Sequence, residues 1–164
     1  MKRTTQDVGE SPGILRIVPF EDSHARAFRD LNLEWIERYF AVEDLDRRHL
    51  DHPRASFLDT GGAILMAQLE GEIVGCCGLL RHDAHVYEVS KMAVSPACQG
   101  RGVGRRLLQE VIAHAKSIGA RRLEIISSTR LDTALHLYRS VGFSEVPLAS
   151  DAYARGNIAL VLSL

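Results

Sequence analysis

The stretch Val94-Ser95-Pro96-Ala97-Cys98-Gln99-Gly100-Arg101-Gly102-Val103-Gly104-Arg105-Arg106 constrains this chain more than any other. An apolar strand pattern leads into it and an amphipathic helix pattern leads out. Three glycines at the junction let backbone amides approach a ligand without Cβ atoms in the way. The amides at the following helix N-terminus, where peptide dipoles favour negative charge, form a ready anion site. Arg101, Arg105 and Arg106 crowd the same turn. The stretch reads as a phosphate-binding loop lying in mid-chain.

The rest of the pattern sets the architecture around it. Met1 to Gly13 reads as a polar, disordered tail, and residues 14–164 as a single domain. Ile14 to Val18 is a short strand. Glu21 to Phe40 is a helix, with Phe28, Leu31, Trp35 and Tyr39 at helical spacing and Asp22 or Ser23 as its cap. Val42 to Pro53 holds a second, charged helix that Pro53 stops. Three strands follow, Ala63–Leu69, Ile73–Leu80 and Val86–Val94. Glu70-Gly71-Glu72 turns the first pair and His82-Asp83-Ala84-His85 the second, an antiparallel meander. After the loop, Gly102 to Ile118 is a helix with the apolar stripe Val103, Leu107, Leu108, Val111, Ile112 and Ala115, stopped by Gly119. Arg122–Ser127 is a strand, Leu131–Val141 a helix ended by Gly142, and Phe143–Val146 with Asn157–Leu162 a closing strand pair. The order β-α-α-β-β-β-α-β-α-β-β predicts a mixed α/β fold with a central sheet and helices on both faces.

The net charge of −1 gives no general basic field, so nucleic acid is not an expected partner. The longest apolar run, Ile73 to Leu80, is far short of a membrane span, and Met1 to Gly13 lacks an apolar leader. Three cysteines, two of them adjacent in an apolar run, suggest buried reduced thiols and a cytoplasmic setting. Cys98 reads as a small loop residue. His82 and His85 share a turn with no further Cys or His pair spaced to complete a metal site, so the cluster reads as a solvated turn and no metal is expected.

Two familiar phosphate loops fail. A P-loop needs Lys then Ser or Thr after the last glycine, where this chain has Arg105-Arg106. A dinucleotide fingerprint needs G-x-G-x-x-G in the first strand–helix unit of a parallel sheet; Arg105 stands at the third glycine, and the loop follows a meander. Gln99-Gly100-Arg101-Gly102-Val103-Gly104 does match Q/R-x-x-G-x-G/A. Tyr87 to Val94 with Pro96, and Ala134-Leu135-His136-Leu137-Tyr138-Arg139-Ser140-Val141-Gly142-Phe143 as A-x-x-L-Y-x-x-x-G-F, flank it. In these segments the chain resembles the GNAT superfamily of acyl-CoA-dependent N-acetyltransferases. Many members carry Asn three residues before the helix Ala; this chain has Leu131.

The resemblance implies a twisted, mostly antiparallel mixed sheet of about six or seven strands with about four flanking helices, its fourth and fifth strands splayed. It implies acetyl-CoA as co-substrate, with Met92, Ala93 and Val94 pairing its pantetheine arm. Gln99, Gly100, Arg101, Gly102, Val103, Gly104 and Arg105 would hold the pyrophosphate. A backbone N–H near Met92 or Ala93 would polarise the thioester carbonyl. Tyr138 is implied as the general acid; a phenol near pKa about 10 can protonate a thiolate whose thiol lies near about 8.5. Glu88, eleven positions before Gln99, is the candidate base, directly or through water. Trp35, Tyr39 and Glu43, with Tyr153 and Arg155, are candidates for the acceptor pocket. The expected function is acetyl transfer to a primary amine of a small molecule or peptide by direct attack. A non-catalytic acyl-CoA-binding module is the alternative that Leu131 raises. A homodimer is compatible with the resemblance.

Overall fold

The computed structural model describes residues 13–149 and 153–164. The expected tail therefore lies outside the described residues, except Gly13. The strands are β1 (Leu15–Pro19), β2 (Ala63–Leu69), β3 (Glu72–Arg81), β4 (Val86–Val94), β5 (Arg122–Ser127), β6 (Ser144–Val146) and β7 (Ile158–Ser163). The helices are α1 (Ala25–Tyr39), α2 (Asp44–Asp51), α3 (Val103–Ser117) and α4 (Asp132–Ser140). Short 3-10 turns at Asp22–His24 and Pro96–Cys98 precede α1 and α3, and a π-helical turn covers Arg54–Leu58. The element order is the one the sequence pattern predicts.

One sheet runs in the order β1-β2-β3-β4-β5-β7-β6. All neighbours are antiparallel except β4 and β5. The β2–β3 hairpin closes through Glu70 (φ 52°) and Gly71 (φ 82°), the left-handed pair that matches strand twist. Side chains of a strand alternate between faces, so adjacent Cys76 and Cys77 enter different cores. Cys77 packs with Tyr87, Val89, Leu107, Leu108, Leu123 and Leu135 under α3 and α4. Cys76 packs with Phe28, Ile36, Leu50, Phe57, Met66 and Ala93 under α1 and α2. Each large aliphatic or aromatic side chain so buried contributes about 1.5–3 kcal/mol, and the two layers clamp β4 in the middle of the sheet.

The start of α1 differs from expectation. Glu21 caps the 3-10 turn, its amide donating to His24 Nδ1 at 3.0 Å. Asp22 instead pairs with Arg54 at 2.7 Å and ties the turn to the π-helical segment. Ser23 makes no side-chain cap.

Candidate active site

Three local features open the sheet where the glycine loop lies. The first is a short parallel register. Only Val86, Tyr87 and Glu88 of β4 pair with β5, against Arg122, Leu123 and Glu124. Beyond Glu88 and Glu124 the strands part, while β5 stays paired with β7 and β4 with β3. Among the described residues, the edge of β4 from Val89 to Val94 has no strand partner on the β5 side. Ser95 N donates to Val74 O at 2.7 Å, so by alternation Ala93 also faces β3, while the amide and carbonyl of Val94 face the open edge.

The second feature is a bulge. Gly78 opposes Ser90 and Cys76 opposes Ala93, so β4 carries one residue more than β3 across this interval. Lys91 takes the strain, with φ 55°. The bulge re-aims Lys91 into the α2 side of the sheet and puts Met92 next to the glycine loop.

The third feature is the loop itself. Gly100 and Gly102 have φ +76° and +80°, and a Cβ at either would meet nothing within 4 Å. Their outer side is open space lined by backbone. Gly104 has the opposite constraint: a Cβ there would lie 3.3 Å from Met92 and 3.4 Å from Leu137, so its absence lets α3 seat on β4 and α4. Among the described residues no side chain caps the N-terminus of α3, so its first-turn N–H groups remain available to an anion. An uncapped helix start, an open glycine cradle and an unpaired strand edge fit the phosphates and extended amide arm of an acyl-CoA.

The arginines divide. Arg106 pairs with Glu110 at 3.3 Å, away from the loop. Arg105 donates to Ser140 Oγ at 2.9 Å and joins α3 to α4. Arg101 makes no ion pair among the described residues and is exposed at the loop tip. Gln99 folds back, its Nε2 donating to Val94 O at 3.2 Å, and so braces the loop on the open strand edge. Val103 and Cys98 are buried below it.

Tyr138, on α4, is buried in the α3/α4 core against Phe143, with ring centroids 6.2 Å apart. Burial, with Cys77 nearby, pushes its hydroxyl above the ordinary phenol range, so it keeps its proton. Glu88 projects to the opposite face from Tyr87 and Val89, toward α1 and α2. It is buried, stands at the last paired position before the strands part, and bonds His82 Nε2 at 3.0 Å. His82 sits in the exposed β3–β4 turn, as expected, but its ring is held by Glu88 rather than free in solvent. His85 turns elsewhere, its Nδ1 lying 3.4 Å from Gly119 O, and the two rings diverge.

A buried ionic cluster that the sequence pattern did not reveal lies on the same face. Asp46 of α2 accepts both Arg155 guanidinium nitrogens at 2.7 Å, Lys91 Nζ at 2.9 Å and the Glu43 amide at 2.9 Å. Burial opposes its charge, but the bonds to Arg155 and the charge of Lys91 outweigh burial and hold its carboxyl well below the usual range. Lys91 also donates to the Tyr153 hydroxyl at 2.8 Å, which lies 3.4 Å from His49 Nδ1. Burial pushes His49 down to about 4, and Lys91 adds to the effect, so the ring is a neutral acceptor. Glu43 pairs with Arg155 at 3.1 Å and accepts the Ala154 amide at 2.9 Å. The chain before β7 is thus pinned onto α2.

Of the acceptor-pocket candidates, the structure gathers Trp35, Glu43, Tyr153 and Arg155. The Arg155 guanidinium lies 5.7 Å from the Trp35 ring and 4.4 Å from the Tyr153 ring. Trp35 is half-buried and its Nε1 donates to Asn32 Oδ1 at 3.1 Å. The Tyr39 side chain is exposed and stands apart from this group; its carbonyl accepts from Arg130 at 2.9 Å and its ring lies 6.4 Å from that of Phe40. Asp46, His49 and Lys91 carried no sequence signal. Their stretches read as solvated charge, and only the bulge and the fold of α2 bring them together.

Comparison with known proteins fits this geometry. The model of the "Acetyltransferase (GNAT) family" matches residues 25–143. N-alpha-acetyltransferase RimI of Mycobacterium tuberculosis is 44% identical over 90 residues, 53% of this chain and 55% of that protein, so the match spans about half of each. A GNAT family acetyltransferase from Staphylococcus aureus Mu50 superposes with a TM-score of 0.83 at 20% identity, covering 92% of this chain and 99% of that one. A GNAT family acetyltransferase from Elizabethkingia anophelis, solved with acetyl-CoA bound, superposes at 0.70 with 24% identity over 92% and 98% of the two chains. The family model spans the two elements that frame the cleft, α1 at one end and the Tyr138 helix at the other, and the chain belongs to the GNAT acetyltransferase family.

Proposed function

We propose that the chain is an N-acetyltransferase that moves an acetyl group from acetyl-CoA to a primary amine by direct attack in a ternary complex. The observation that carries this reading is the parting of β4 from β5 after Glu88 and Glu124, beside the uncapped start of α3. When bound, acetyl-CoA supplies the activated thioester acyl group. Amides from Gln99 to Arg105 hold the pyrophosphate at the positive end of α3. The open edge of β4 at Met92 and Val94 pairs the pantetheine arm, and the amide of Met92, on that edge, polarises the carbonyl; Ala93, expected as the other candidate, faces β3. Tyr138 protonates the departing sulfur. Burial keeps the Tyr138 hydroxyl protonated, so the proton is in place to be donated. Glu88 accepts the amine's proton, and Trp35, Tyr153 and Arg155 shape the wall facing the acceptor. An amine acceptor is also supported by the named activity of the RimI relative.

Incubation with acetyl-CoA and a panel of amino acids, polyamines, aminoglycosides and peptide N-termini, read by free thiol release, tests the reading. Amine-dependent thiol release is the expected result. Tight acetyl-CoA binding without turnover on any amine would replace it with the binding-module alternative.

A further inference from the structure

Glu88 has a problem as the base of such a reaction. A carboxylate accepts a proton with a pKa of about 4.3, whereas an alkylammonium gives one up at about 10.4. The carboxylate side chain is also only 11% exposed, so a proton placed on it has no direct exit. The β3–β4 turn answers both points. His82 Nε2 lies 3.0 Å from Glu88 Oε1, and the His82 side chain is 46% exposed. One member of the pair faces the cleft and the other faces water.

We propose, on the acetyltransferase reading, that His82 is a relay residue that takes from Glu88 the proton leaving the amine and delivers it to solvent. In the resting state the ring is neutral and its Nε2–H donates to Glu88; once Glu88 is protonated, the ring exchanges through solvent to the Nδ1–H tautomer, which leaves Nε2 free to accept. As the amine nitrogen bonds to the acyl carbon, its N–H bond breaks and the proton passes to a Glu88 oxygen. Glu88 returns to carboxylate by giving a proton to His82 Nε2. The imidazolium releases one proton to water and regains the neutral tautomer. No oxidant or further reactant enters, and the proton that leaves the amine is balanced by the one released to solvent.

The surroundings suit that task. His82 faces Glu88 from β4, Glu124 from β5 and Asp83 within its own turn. The bond to Glu88 raises the affinity of the ring for a proton, its partial burial lowers it, and the charges of Glu88, Glu124 and Asp83 raise it further. On its other side, Glu88 faces the Lys91 ammonium and the Tyr153 hydroxyl. Glu124 shares the face of Glu88, being in register with it, while pairing with Arg122 at 3.2 Å.

The decisive measurement is the pH profile of kcat/KM for the wild type and His82→Gln. An amide at this position keeps a hydrogen bond to Glu88 but cannot take up a proton. Without His82, the acidic limb is expected to move to lower pH, with a plateau about tenfold lower. A merely structural contribution would lower the plateau without moving the limb, and that result would overturn the relay. The second readout needs no turnover. In the NMR titration of the His82 ring, the wild type is expected to titrate higher than Glu88→Gln. Equal titration in the two proteins would also overturn the relay. A wild type that binds acetyl-CoA yet releases no thiol sinks the acetyltransferase reading and the relay with it.

Discussion

His49 makes the buried cluster beneath the acceptor wall testable through stability alone. Its ring packs on Phe57, with centroids 5.2 Å apart, and lies 3.4 Å from the Tyr153 hydroxyl, which already accepts from Lys91. A proton on His49 would remove that acceptor and bring a third cation next to Lys91 and Arg155. Burial first, and the Lys91 charge second, pull the folded pKa from 6.5 to about 4. The unfolded chain therefore binds this proton first as pH falls. The stabilisation is full above about 6.5, shrinks as pH falls toward about 4, and is gone below it, a loss of about 3 kcal/mol across the window. Asp46 adds to acid lability only below the ordinary carboxylate range, since its folded pKa is depressed further. His82 works in the opposite sense: its folded pKa is raised, so its stabilisation is present at low pH and lost as pH rises past that value. The assay is urea unfolding of wild type and His49→Gln at half-unit steps from pH 4 to 7.5. The variant should be less stable at pH 7, and its deficit should shrink by about 3 kcal/mol by pH 4. A deficit constant across the window would refute the claim that His49 is held neutral by burial and Lys91.

Further single substitutions have expected outcomes. Tyr138→Phe keeps the packing on Phe143 but removes the proton donor, so kcat should fall about 100-fold with little change in KM; an unchanged kcat removes Tyr138 as the acid. Gly102→Ala meets no atom but strains a residue at φ +80°, at about 1–2 kcal/mol, so calorimetry should show acetyl-CoA binding about 5- to 30-fold weaker. Gly71→Ala, at φ +82° in the β2–β3 turn, is the control that should leave binding intact. Arg155→Met leaves Asp46 buried with half its partners gone and should cost about 3–5 kcal/mol in urea unfolding. Removing the exposed Arg54–Asp22 pair by Arg54→Met should cost about 1 kcal/mol or less.

The amino-acid sequence determined by itself whatever depends on local pattern. The order of strands and helices, the two-residue turn at Glu70-Gly71 and the α3 stripe all follow from periodicity and turn chemistry acting over a few residues. The glycine loop was legible for the same reason: a left-handed backbone at Gly100 and Gly102 and a close approach at Gly104 both demand glycine, whatever surrounds them. The tertiary structure alone decided what depends on residues far apart in the chain. The parting of β4 from β5 was implied by the family resemblance, but no local spacing encodes that their pairing stops at Glu88 and Glu124. Lys91 lay in a strand pattern and Asp46 in a run of surface-like charge. A one-residue bulge turns the first toward the second, and Arg155, 109 residues on from Asp46, completes the cluster. His82 read as part of a solvated turn until the hairpin register brought its ring onto Glu88. Burial gives these charged groups their altered proton affinities, and burial is a property of the packed chain rather than of any segment.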